Sequence, residues 1–185
     1  MTSLWEQTWE PPAFAPLEGD CSTDVLIIGG GMAGVLCAHE LHRAGVPYIL
    51  AEAKTLGSGI TGNTTAKITS QHGLIYGKLL RKYGPERARL YFSAQETALR
   101  QYRELCREID CGFEEQDAYV YARTDRRELE QELRTLEQLG IPGEFTDRVP
   151  LPFPVAGAIR FPHQAQFHPL RFLSAIAQGL HIHEH

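Results

Sequence analysis

Val25-Leu-Ile-Ile28, preceded by Asp24, is a short unbroken apolar run, the pattern of a strand buried on both faces, and it leads straight into Gly29-Gly-Gly-Met-Ala-Gly34. Val35, Cys37, Ala38 and Leu41 then give a helix its apolar stripe, and Gly45 stands where a left-handed C-cap belongs. Val46 to Ala51 returns as a second buried strand ending at Glu52, so residues 24–52 read as one βαβ unit whose strands are parallel neighbours. Residues 54–73 carry neither period and are dense in Gly, Thr, Ser and Asn, which predicts a long functional loop. Pro85 opens a long helix in which Ala88, Tyr91, Gln95, Leu99, Tyr102, Cys106 and Ile109 keep three-and-four spacing until Gly112. Ala118 to Ala122 reads as a strand, with Tyr119 and Tyr121 on one face and assigned to the core. Leu129, Leu133, Leu136 and Leu139 mark a helix begun near Thr124 or Asp125 and stopped at Gly140. Beyond the extended segment Pro150–Pro154, Ala158 to Phe161 forms a strand and Pro169 starts a last helix through Leu173, Ile176 and Leu180. Residues 1–23 are Pro-rich and aperiodic, a tail expected to wrap the body through Trp5, Trp9 and Phe14.

Composition narrows the function classes. Of 185 residues, 43% are hydrophobic and 22% charged, which excludes disorder as the dominant state. The 23 acidic and 18 basic side chains leave a net charge of −5 and form no basic stripe, so nucleic acid is not an expected partner. The longest apolar stretch, Val25 to Ala38, is interrupted by four glycines and ends at His39 and Glu40, too short for a membrane span. No basic n-region precedes it, and the chain is expected to be soluble and cytoplasmic. Cys21, Cys37, Cys106 and Cys111 form no CxxC pair and read as reduced thiols. Cys37-Ala38-His39 spells half of a Rieske iron–sulfur motif, but no C-x-x-H follows. His181, His183 and His185 alternate, a zinc-compatible spacing on a strand, yet no carboxylate or cysteine completes it in sequence and no metal site is assigned.

The chemistry concentrates at the first turn. In G-x-G-x-x-G, Gly29 permits a tight turn, Gly31 lets backbone approach a pyrophosphate, and Gly34 lets the helix pack close to the strand. The helix N-terminus then offers free N–H groups and partial positive charge to phosphates. Glu52, at the next strand's end, can accept from both hydroxyls of a ribose and would repel a 2′-phosphate. A Gly/Thr loop and a mainly helical insertion, instead of a crossover helix and third strand, favour FAD over NAD.

Residues Asp24–Glu52 with Gly57-Ser-Gly-Ile-Thr-Gly-Asn-Thr-Thr-Ala-Lys-Ile68 resemble the FAD-dependent oxidoreductases of the D-amino-acid oxidase and glycine oxidase superfamily. Thr61–Gly73 and Gln164-Ala-Gln-Phe-His-Pro169 are similar to a bacterial subgroup whose members often carry a C-terminal Rieske domain, whose ligand set is not found within residues 1–185. The resemblance implies that Gly29, Gly31, Met32, Ala33 and Gly34 hold the FAD pyrophosphate, with Glu52, Ala53 and Lys54 at the adenosine ribose. Gly62, Asn63, Thr64, Thr65 and Ala66 would run under the pyrophosphate toward the flavin. Gln71, His72, Gln164, Gln166 and His168 are candidates to line a substrate cavity, although His168 can equally cap the helix opened by Pro169.

The expected fold is therefore α/β, a Rossmann-like FAD-binding parallel sheet built from residues 24–73 and 156–185. A helical α+β lobe of a substrate domain, residues 74–155, is inserted, and the tail occupies residues 1–23. The implied activity is hydride transfer from carbon next to nitrogen in a small amine or amino acid to flavin N5, with oxygen or an electron carrier as acceptor. Catalytic residues are not assigned. No segment is present that would close over the flavin ring, so the chain is expected to be a truncated member or a half that needs another chain. The open sheet edge would favour self-association. An NAD- or nucleotide-binding module without turnover, or an inactive fragment, is the alternative.

Overall fold

In the computed structural model, which describes residues 2–185, the elements run α1 (Leu4–Gln7), β1 (Val25–Ile28), α2 (Met32–Arg43), β2 (Tyr48–Glu52), β3 (Lys67–Ile68), α3 (Tyr76–Leu105), β4 (Glu114–Ala122), α4 (Arg127–Leu139), β5 (Glu144–Thr146), β6 (Gly157–Gln166), α5 (Pro169–Ala177) and β7 (Ile182–Glu184). They divide into two units, one of residues up to 66 with 108–112 and 167–185, the other of 67–107 and 113–166. The division falls at 66/67 and 166/167 rather than near 73 and 156, because β3 and β6 pair within one antiparallel sheet.

In the first unit β1, α2 and β2 form the expected βαβ unit, with Val25 opposite Tyr48 and Ile28 opposite Ala51 in parallel register. β7 adds to the far side of β2, also parallel, giving the order β1-β2-β7. β1 is not buried on both faces, as its continuous apolar run suggested. Val25 and Ile27 are half-buried on one side, whereas Leu26 is 58% and Ile28 85% exposed on the other. α2 covers a single face, and an apolar run does not reveal how many faces find cover. Val35 and Ala38 are the buried positions of α2. Cys37, expected in the stripe, is exposed, since it lies two residues from Val35 and so on the opposite side of a helix. α5 packs on α2 and buries Leu170, Phe172, Leu173, Ile176 and Ala177, and it ends before Leu180. The tail is not aperiodic throughout. Ser3 Oγ accepts from the Glu6 amide at 3.1 Å while the Glu6 carboxylate accepts from the Ser3 amide at 2.9 Å, a reciprocal cap that starts α1.

The second unit is an antiparallel sheet ordered β3-β6-β4, with β5 also on β6. Its core joins Tyr76 and Ala88 of α3, Leu129, Leu136 and Leu139 of α4, and Ile159 and Phe161 of β6. The loop 54–73 is more ordered than its composition suggested, since it contains a 3₁₀ turn, Thr61–Asn63, and β3. α3 begins at Tyr76, well before Pro85. Gly84, at φ 80° and ψ 171°, breaks it into two segments, and Pro85 opens only the second. The first segment is set from a distance: the buried Glu132 carboxylate of α4 accepts from the amides of Tyr76 at 2.6 Å and Gly77 at 2.8 Å. α3 ends at Leu105, short of Gly112. β4 and β6 are longer than their apolar centres, and a bulge lies where Gln116 faces Gln164 but Ala118 faces Phe161, with His163 at φ 56°. Tyr119 and Tyr121 lie outside the core: Tyr121 is 42% exposed, its ring against Phe153, because they sit on the strand side away from Ala118 and Val120, which pack on the helices. Among the described residues no helix is long and apolar enough to cross a membrane.

A Cβ on Gly34 would stand 2.0 Å from the Gly29 carbonyl oxygen, whereas on Gly31 it would meet nothing nearer than Thr61 Oγ1 at 3.4 Å. Gly34→Ala is therefore expected to cost about 3 kcal/mol or more in urea unfolding, and Gly31→Ala less than about 1 kcal/mol. Equal unfolding midpoints for the two variants would contradict this packing.

Candidate functional site

The turn from β1 into α2 is held on three sides. Gly29 takes φ 105°, a conformation that L side chains rarely adopt, and its amide donates to the Ala51 carbonyl of β2 at 2.8 Å. The Gly30 carbonyl accepts from the Gly57 amide at 3.0 Å. Thr61 Oγ1, in the 3₁₀ turn, accepts from the Met32 amide at 3.1 Å. The amides of Gly31, Ala33 and Gly34 meet no acceptor among the described residues, so a half-open row of donors stands at the positive end of α2. Thr61 carries no expected role, and its signal is not local: the bond to Met32 crosses 29 positions. Since its oxygen accepts from Met32, its O–H remains free to donate outward.

Glu52 stands at the tip of β2 with both oxygens engaged. Oε2 accepts from the Gly30 amide at 2.6 Å and Oε1 from the Lys54 amide at 2.9 Å. Each oxygen retains a second lone pair for a further donor. Ala53 and Lys54 are exposed beside it. Across β7, Glu184 pairs in register with Glu52 and likewise gathers backbone, accepting from Leu56 N at 2.6 Å and Phe14 N at 3.4 Å.

The loop after the 3₁₀ turn is internally tied. Asn63 Nδ2 donates to the Gly59 carbonyl at 3.1 Å, and Thr64 Oγ1 accepts from the Ala66 amide at 3.3 Å. Gly62 and Ala66 are buried, while Asn63 and Thr65 are exposed. Ala66 is held at φ 57°, left-handed for a residue with a Cβ, at a cost of about 1 kcal/mol. Its carbonyl accepts from Phe167 N at 3.4 Å.

The candidate substrate residues scatter. In the second unit, Gln71 lines an open hollow of about 290 Å³ with Lys67, Thr69, Tyr119 and Tyr121. His72 is exposed, its Nε2 3.3 Å from Gln95, and Gln166 donates to Glu114 at 2.9 Å. Gln164 is buried structure: its Oε1 accepts from Ser70 N at 2.7 Å and its Nε2 donates to the Pro162 carbonyl at 3.0 Å. In the first unit, His168 caps α5, its Nδ1 accepting from the Arg171 amide at 3.3 Å. With Nδ1 an acceptor, Nε2 carries the proton and donates to Thr8 Oγ1 at 3.0 Å. Burial, and secondarily the Arg171 charge, hold the imidazole below its ordinary pKa. The terminal histidines have separate partners: His181 packs on the Tyr48 ring at 5.8 Å, and His183 Nδ1 donates to the Ala15 carbonyl at 3.2 Å.

The family described as DAO, FAD dependent oxidoreductase, matches residues 24–184. The Bacillus subtilis (strain 168) protein YhfW, named as a Rieske 2Fe-2S iron-sulfur protein, is 36% identical over 182 residues, spanning 96% of this chain and 36% of its own. Glycine oxidase from Bacillus cereus ATCC 14579 superposes with a TM-score of 0.58 at 22% identity, over 88% of this chain and 46% of that one. L-amino acid deaminase from Proteus vulgaris superposes with a TM-score of 0.66 at 16% identity, over 93% of this chain and 42% of that one. The chain thus spans less than half the length of each of these proteins.

The depressed pKa of His168 carries a sign. Stability from the neutral imidazole is complete above its unfolded value of about 6.5 and is lost as pH falls through the lower folded value. His168→Asn keeps a cap acceptor without titrating, so the difference between parent and variant melting temperatures should shift against the parent as pH drops from 7.5 to 5. A difference that stays constant over that range would contradict the assignment.

Proposed function

Because the chain belongs to the DAO family of FAD-dependent oxidoreductases, we propose that its first unit holds the adenosine diphosphate half of FAD, and that the protein oxidises a carbon–nitrogen bond of a small amine or amino acid. The observation that carries the reading is the donor row at the start of α2, where Gly31, Ala33 and Gly34 present unengaged amides and Thr61 adds a free hydroxyl proton. That donor set suits a diphosphate. Glu52 accepts the two ribose hydroxyls through its remaining lone pairs, and its carboxylate disfavours a 2′-phosphate. Asn63, Thr64, Thr65 and Ala66 extend the cradle, with the strained Ala66 fixing the direction in which the chain leaves it.

The chemistry that FAD supplies when bound is acceptance of a hydride from the substrate carbon beside nitrogen. The likeness to glycine oxidase and L-amino acid deaminase supports an amino-acid or amine substrate. The name of YhfW supports an electron-acceptor partner. The hollow lined by Gln71, Lys67 and Tyr119 is our candidate for the substrate-facing surface of the second unit.

Incubated with FAD, the purified chain should show protein-bound absorption near roughly 370 and 450 nm. Glu52→Gln should weaken FAD about tenfold and narrow the preference for ADP over its 2′-phosphorylated counterpart. A chain that retains no flavin, or that binds the 2′-phosphorylated nucleotide more tightly, would contradict the proposal.

A further inference from the structure

The N-terminal segment has no role in the reading above, yet its contacts fall on that site. Resting on the assignment of a dinucleotide seat, we infer that residues 3–17 form a strap belonging to the cofactor site, which pins the phosphate loop at one end, walls the adenosine end at the other, and so slows cofactor release. Every contact involved lies within the first unit. At the phosphate end, Trp5 Nε1 donates to the Thr64 carbonyl at 2.8 Å, and Glu6 lies over the loop so closely that a Cβ on Gly62 would stand 3.4 Å from its Oε1. Thr64 follows directly on the 3₁₀ turn whose Thr61 caps α2, so fixing its carbonyl helps to fix the Thr61 hydroxyl. The Trp5 ring packs on His168 with centroids 5.1 Å apart, and Trp9 Nε1 donates to Ser174 Oγ at 2.7 Å.

Pro11 and Pro12 stiffen the passage to the other end. There Phe14 N donates to Glu184 Oε2 at 3.4 Å and the Ala15 carbonyl accepts from His183. Pro16 and Leu17 then line one side of an open hollow of about 160 Å³ whose other lining includes Ala51 and Glu52. Glu184 therefore joins strap and site, since it also accepts from Leu56 N and stands opposite Glu52 in register. Thr8 adds two bonds, its Oγ1 accepting from the buried His168 at 3.0 Å and its carbonyl from Arg171 at 3.4 Å, but the strap's own residues are all half-buried or exposed, so it can lift without unfolding the unit beneath it. Coupling is reciprocal: a strap that favours the bound cofactor is itself closed by it.

The test uses the full chain, Trp5→Phe, which keeps the ring and removes the indole donor, and Leu17→Ser, at a position 45% exposed. Both variants should raise the Kd for FAD and for ADP about five- to tenfold. ADP should slow amide hydrogen exchange across residues 3–17 of the parent. Parent-like affinities in both variants, or unchanged exchange in that segment with ADP bound, overturn the strap alone. A parent chain that binds neither FAD nor ADP overturns the dinucleotide seat and the strap with it.

Discussion

How closely α2 approaches β1 governs the rest of the site. Gly34 has no Cβ, and the Gly29 carbonyl oxygen lies 2.0 Å from where one would stand, so the helix starts at the tip of the strand with no side chain between them. Only this approach brings the first amides of α2 over the same strand ends that carry Glu52. A helix displaced by the width of a methyl group would separate the proposed phosphate donors from the proposed ribose acceptor, and neither alone distinguishes a dinucleotide from any other anion or sugar.

The strand tips perform a second task. Glu52 and Glu184 lie side by side in register, and each is surrounded by backbone N–H groups, Gly30 and Lys54 for one, Leu56 and Phe14 for the other. Amide donors make two neighbouring carboxylates tolerable, and the carboxylates in turn order the loops that donate to them. The segments with the least regular structure, the glycine turn, the Gly/Thr loop and the N-terminal tail, are thereby organised around two acidic side chains on a parallel sheet.

What could be read from the sequence follows from how local each determinant is. The βαβ unit was legible because apolar runs, glycine spacing and the acid at Glu52 lie within 24–52 and report short-range geometry. Thr61 was not, since its importance comes from a bond to Met32 that no pattern encodes. The start of α3 at Tyr76 was hidden because Gly84 and Pro85 read as a helix start, while the amides that begin it are satisfied by Glu132, far along the chain. The exposure of Leu26 and Ile28 was illegible for a different reason: an apolar run shows that burial is favourable, not whether a covering layer is present. Gln164 and His168 stand out in sequence as chemistry, yet their polar atoms hold Ser70 and cap α5.

The most direct measurement is the ¹H–¹⁵N spectrum of the labelled chain titrated with ADP. If the start of α2 binds the diphosphate, the largest saturable shifts fall on the amides of Gly31, Ala33 and Gly34, with Gly30 responding through Glu52. Saturable binding that leaves those four resonances in place while shifting others would mean that the nucleotide sits elsewhere, and the account would fail.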